Sequence, residues 1–111
     1  AIVASIFAGR AKVASQAGPS PAFGHDPTLK PYPYDPAKAR ALLAEAGYAN
    51  GFKFSADVML MNSTDASLWQ AVKADLAKVG VDFTVNVVPF ARYNQGLYTG
   101  NWTGEAFGMN Y

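Results

Sequence analysis

From Phe52 to Tyr111 the chain alternates between two hydrophobic periods, and that alternation restricts the fold more than any single motif does. Phe52, Phe54, Ala56, Val58 and Leu60 alternate with Lys53, Ser55, Asp57, Met59 and Met61. This is the period of a half-buried strand that becomes apolar on both faces toward its end. Asn62-Ser63-Thr64-Asp65 supplies N-cap candidates, after which Leu68, Trp69, Val72, Leu76 and Val79 share one helical face and Gly80 ends it. Val81, Phe83, Val85 and Val87 alternate again with polar neighbours, and Pro89 closes that strand. Phe90, Tyr93 and Leu97 form a helical stripe weakened by Gly96, and residues 106–111 read as a third strand. Strands joined by short helical crossovers predict an α/β fold, here a small three-stranded, mostly parallel sheet with flanking helices and right-handed connections. Such sheets bind ligands beyond the carboxyl ends of their strands. The residues at those ends are Met61, Asn62 and Ser63 after the first strand, Phe90 after the second, and Met109, Asn110 and Tyr111 on the third.

Ahead of this unit lies a helix with both ends written out. Asp35 can cap the first turn, Pro36 occupies the first helical position, and Gly47 followed by Tyr48 predicts a Schellman stop in which Tyr48 reaches Leu43. Upstream, Ile2, Val3, Ile6 and Phe7 before Gly9 read as the tail of an amphipathic helix, and residues 16–35 read as a long loop rich in Gly, Pro, Ser and Asp.

The run Pro31-Tyr32-Pro33-Tyr34-Asp35-Pro36-Ala37-Lys38-Ala39-Arg40-Ala41-Leu42-Leu43-Ala44-Glu45-Ala46-Gly47-Tyr48, with Asn50-Gly51-Phe52 behind it and Phe23-Gly24-His25-Asp26-Pro27 ahead, resembles the extracellular solute-binding proteins of family 5. These serve peptide and nickel ABC transporters. The resemblance extends over nearly the whole chain and is tightest in its first half. It implies part of one lobe of a type II periplasmic binding protein fold. The chain is then expected to be a single piece of a much longer protein, with a truncated helix at 1–15, a loop at 16–35 and an α-β-α-β-α-β unit at 36–111. Family members line an interlobe cleft from the same three strand ends, often with Trp after the second strand and Gly-Trp closing the third. Here Pro89-Phe90 stands where many have Trp, and Gly100-Asn101-Trp102-Thr103 replaces a Gly-x-Phe-Asp element. Met109 takes the family's Trp position without a gap, and Tyr111 takes it if two residues are inserted at Thr103-Gly104.

The resemblance therefore implies contact with a small solute, most often peptide-like, through Asn62, Ser63, Phe90, Met109, Asn110 and Tyr111. It further implies a membrane permease as partner of the full-length protein and a periplasmic or extracellular location. No cofactor is expected. The alternative is a stand-alone α/β interaction module whose exposed apolar groups meet a protein partner. In either case the isolated piece could self-associate through exposed core-like surface.

Other chemistries find little in the residues. A formal net charge of +1 argues against a nucleic-acid surface, and the absence of Cys removes disulfides, thiolate zinc sites and thiol nucleophiles. His25 stands alone in a polar loop without a second His or a paired carboxylate at ligand spacing, and Met59-Leu60-Met61 reads as core before metal site. No nucleophile elbow, P-loop or dinucleotide fingerprint is present, so no enzyme is expected. A catalytic reading would need Asp57 or Glu105 buried in a pocket with a shifted pKa. Asn62-Ser63-Thr64 and Asn101-Trp102-Thr103 match the N-glycosylation pattern and are read as chance, because the resemblance is to bacterial proteins.

Overall fold

Three parallel strands in the order β2-β1-β3 organise the second half of the chain: β1 is Phe52–Val58, β2 is Val81–Val87 and β3 is Ala106–Gly108. The computed structural model describes residues 2–18 and 22–108 and divides into two units, Ala1–Asp35 and Pro36–Tyr111. In the first unit, helix α1 (Ile2–Ser5) gives way to a turn in which the Gly9 N–H donates to Val3 O at 2.9 Å. Further along, the Gln16 side-chain amide pairs with the Asp26 backbone in both directions, at 2.8 and 3.0 Å. Asp26 Oδ1 in turn accepts from the Thr28 N–H and hydroxyl, and the His25 Nδ1–H donates to Gly18 O at 2.8 Å. His25 is thus tied into its own loop by a backbone carbonyl.

The second unit begins with helix α2 (Pro36–Glu45). Its stop follows from the sequence: the Tyr48 N–H bonds Leu43 O at 2.8 Å and the Gly47 N–H bonds Ala44 O at 3.0 Å, the two bonds of a Schellman motif, with Gly47 at φ 87°. A Cβ at Gly47 would meet no atom within 4 Å, so only the backbone conformation resists a side chain there. Gly47→Ala is therefore expected to lower stability by about 1 kcal/mol, read as the change in urea midpoint. An unchanged midpoint would refute the assignment of this cap.

Helix α3 (Asp65–Ala77) covers one face of the sheet and helix α4 (Phe90–Thr99) the other. On the α3 face, Ala56, Val58 and Phe83 form the buried core with Trp69, Val72 and Leu76 against them, and Phe83 stacks on Phe54 at 4.7 Å between ring centroids. Register pairs Asp57 with Asn86 and with Phe107, so these three point to the opposite face. There Tyr93 of α4, only 1% exposed, meets the Trp102 and Phe107 rings edge-on at 5.2 and 6.4 Å.

Several expectations change in detail. The strand expected to continue through Met61 ends at Val58, because the N–H groups of Met61 and Asn62 donate to Asp65 Oδ2 at 2.6 and 3.0 Å instead of to a ladder. Gly96, a weak point by helix propensity, provides space: a Cβ there would lie 2.5 Å from the Trp102 ring. Of the stripe Phe90, Tyr93 and Leu97, only Tyr93 is buried. Asp57, expected on a polar outer face, has no exposed surface at all.

Candidate solute-contact edge

All three strands run parallel, so their carboxyl ends meet at one edge of the sheet, and an open hollow of about 370 Å³ lies there. Its walls are residues 59–61 beyond β1 and residues 87–90 at the end of β2 and the start of α4. The first wall is shaped by Asp65, which is buried at the start of α3 and holds the Met61 and Asn62 amides as described. The second is anchored by the Val88 N–H donating to Val58 O at 2.9 Å, one step past the regular ladder. Pro89 then precedes α4 in an extended conformation (φ −63°, ψ 153°) and turns the chain into the helix. Met61 and Phe90 are 61% and 67% exposed, so neither belongs to the core of this unit.

Near the end of β1, on the α4 face of the sheet, sits a buried carboxylate. Asp57 Oδ2 accepts from the Thr103 N–H at 2.7 Å, and Oδ1 accepts from the Gly104 N–H at 3.2 Å and from Asn86 Nδ2 at 3.1 Å. Burial is the largest influence on its pKa and acts upward. The Thr103 amide, the Asn86 side chain, the Gly104 amide and the Arg92 guanidinium together outweigh it and hold Asp57 below the usual carboxylate value of 3.8. The adjoining Glu105 is lowered as well, because its Oε2 accepts from the Ser55 N–H and hydroxyl at 2.6 and 2.8 Å. Both carboxylates are thereby poor proton acceptors, whereas a buried general base needs its pKa raised. Among the described residues, no three His, Cys, Asp or Glu side chains are placed to share a metal ion.

The structure brings Phe90 to the hollow and leaves Asn62 and Ser63 outside its walls, on the exposed turn before α3. Asn62 Oδ1 accepts from the Thr64 N–H at 3.0 Å and from the Thr64 hydroxyl, so its side chain is engaged in that turn. Met109, Asn110 and Tyr111 lie outside the described residues. Sequence reasoning passes over Met59, Leu60 and Val87 to Pro89 as wall residues. Their signal is the continuation of apolar residues on both sides of the strand period just beyond each ladder.

A family model described as "Bacterial extracellular solute-binding proteins, family 5 Middle" matches residues 1–110. Heme-binding protein A of Haemophilus influenzae is 31% identical over 114 residues, covering 99% of this chain and 21% of that protein. The glutathione-binding protein GsiB of Escherichia coli K12 is 40% identical over 88 residues, 79% of this chain and 17% of that protein. Among solved structures, the periplasmic binding protein DppA of Helicobacter pylori, in complex with the peptide STSA, superposes with a TM-score of 0.77 at 30% identity, over 94% of this chain and 20% of that one. The chain thus spans between 17% and 21% of the length of these three proteins.

Proposed function

We propose, since this chain belongs to the bacterial extracellular solute-binding proteins of family 5, that it supplies part of the solute cleft of an ABC import system. Its three-stranded parallel sheet with helices on both faces is part of one lobe of a type II periplasmic binding protein fold. The observation that carries the reading is the hollow at the common carboxyl edge, with Met61 and Phe90 exposed above it, where parallel sheets place their ligands.

In a full-length protein the solute would lie between this edge and a second lobe. Contact with both lobes stabilises the closed state, and the closed complex would then deliver its solute to a membrane permease. Phe90 is the aromatic contact from the end of β2. Asn62 and Ser63, beside the edge, and Met109, Asn110 and Tyr111, which follow β3 in the sequence, are the further contacts of the proposal. The solute is a peptide or another small molecule, such as the glutathione or heme named for the relatives. The location is periplasmic or extracellular, and no catalytic step is assigned, because Asp57 and Glu105 are committed to internal hydrogen bonds. Membership of the family favours this role over an independent interaction module.

Calorimetry on the full-length protein with a panel of di- and tripeptides, glutathione and heme tests the proposal. At least one member should bind, and Phe90→Ala should weaken it about tenfold or more, the loss expected when roughly 1.5–3 kcal/mol of aromatic burial disappears. A panel member that binds wild type and Phe90→Ala equally well would remove this edge from the cleft. The 111-residue chain alone should bind none of them tightly, because a single edge cannot enclose a ligand.

A further inference from the structure

We infer that Asp57 and Glu105 are positioning residues that hold β3 in its register on the sheet and so, resting on the reading of the carboxyl edge as the solute contact, decide which part of β3 faces the solute.

Alternation alone leaves this register open. A slip by one residue would exchange the two faces of β3, whereas a slip by two keeps them, so the hydrophobic pattern does not exclude it. The observed pairing sets Ala106, Phe107 and Gly108 against Ala56, Asp57 and Val58, which brings Gly108 level with Val58 and, across β1, with Val87. Two carboxylates reaching in opposite directions mark the start of that pairing. From β1, Asp57 accepts from the Thr103 and Gly104 N–H groups at 2.7 and 3.2 Å, upstream of its own register partner Phe107. From the other side, Glu105 Oε2 accepts from the Ser55 N–H and hydroxyl at 2.6 and 2.8 Å. Ser55 has no register partner on β3, so this carboxylate stands in for a strand carbonyl and closes the ladder.

Two close approaches favour the same register. A Cβ on Gly104 would lie 2.7 Å from Ser55 O, and one on Gly108 would lie 2.3 Å from the Trp69 ring. A slip that set Ala106 opposite Val58 would drive its methyl into that ring. A two-residue slip in either direction moves the chain by about 6.6 Å and parts both carboxylates from their partners. Buried Asp57 would then carry its charge without its two backbone donors, which is the costly outcome for an ionised group away from water.

Hydrogen exchange in the full-length protein, followed by peptide mass spectrometry, tests this clasp without any solute. Glu105→Ala removes only the bonds to Ser55. Even so, the Thr103 and Gly104 amides, still facing Asp57, should exchange about tenfold faster or more, while the amides of β2 stay within about twofold of wild type. Glu105 is exposed, so the variant should fold. Glu105→Gln keeps an acceptor oxygen for the Ser55 N–H and should restore part of the protection. Unchanged exchange at 103–104, or equal acceleration in β2, overturns the inference: the carboxylate would be a surface contact in the first case and a general support of the unit in the second. A separate arm adds the solute. Whichever of the di- and tripeptides, glutathione and heme binds should slow exchange at 103–108 in wild type, because it binds only the seated strand. Loosening in Glu105→Ala with no slowing by the bound solute would leave the clasp standing and remove this edge from the solute cleft.

Discussion

Asp57→Ala is expected to cost the protein about 3 kcal/mol or more, because it takes the shared acceptor away from three donors. The Thr103 and Gly104 amides and the Asn86 side chain all converge on this carboxylate, and Asp57 is fully buried. Each unmade buried hydrogen bond costs on the order of 1–3 kcal/mol, and Ala brings no compensating contact. Asp57→Asn should fall between wild type and Ala, since it keeps one acceptor oxygen but turns an NH₂ toward groups that are themselves donors. The pH dependence has a definite sign. The folded-state pKa of Asp57 lies below its unfolded value, so its contribution is fully present above the unfolded pKa and is lost as pH falls through the folded one. Urea midpoints of wild type and Asp57→Ala should therefore differ most at neutral pH and converge below about pH 4. Asp26 and Glu105 are lowered by hydrogen bonds too and contribute to the acid slope of both proteins, so the difference between the two curves isolates Asp57. A constant difference down to pH 2 would show that the carboxylate's charge is not what the site uses.

Gly51→Ala should be at least as damaging, at about 3–4 kcal/mol. Gly51 has φ 74°, and a Cβ placed on it would stand 1.8 Å from the carbonyl oxygen of Gly80. The two glycines immediately precede the first register pair of the sheet, Phe52 with Val81. Gly80 is itself at φ 87° between the end of α3 and β2. A methyl group at 51 must push this backbone aside, and the start of the β1–β2 pairing moves with it. Comparison with Gly47→Ala separates the two causes, since Gly47 has the same left-handed backbone and open space around it. Equal losses from the two substitutions in urea titrations would mean that the close approach to Gly80 is relieved at no cost.

Much of the architecture is legible in the residues because its signals are local. The two hydrophobic periods, the Gly47-Tyr48 stop and the Gly80 stop each depend on neighbours within a turn or two, and the observed strands and helices follow them. Parallel pairing also follows, since each strand is separated from the next by a helix. The extent of β1 is less legible. Whether Met61 continues a strand depends on a competition between a ladder partner and the Asp65 carboxylate four residues later, and period-two alternation has no term for that competition.

The sequence by itself therefore determined the order of elements, the parallel sheet, the edge at which its strands end and the family to which its motifs point. Only the tertiary structure decided what lies on each side of that edge. Alternation assigns Asp57 to an outer, solvated face, yet α4, Trp102 and the turn at 103–104, drawn from 33 to 47 residues further on, close over it. Phe90 reads equally well as core or cleft, and the folding of α4 around Tyr93 and Gly96 leaves it outside, above the hollow. The physical reason is the same in both cases. Side-chain periodicity records which residues share a face, whereas burial depends on which distant segment covers that face.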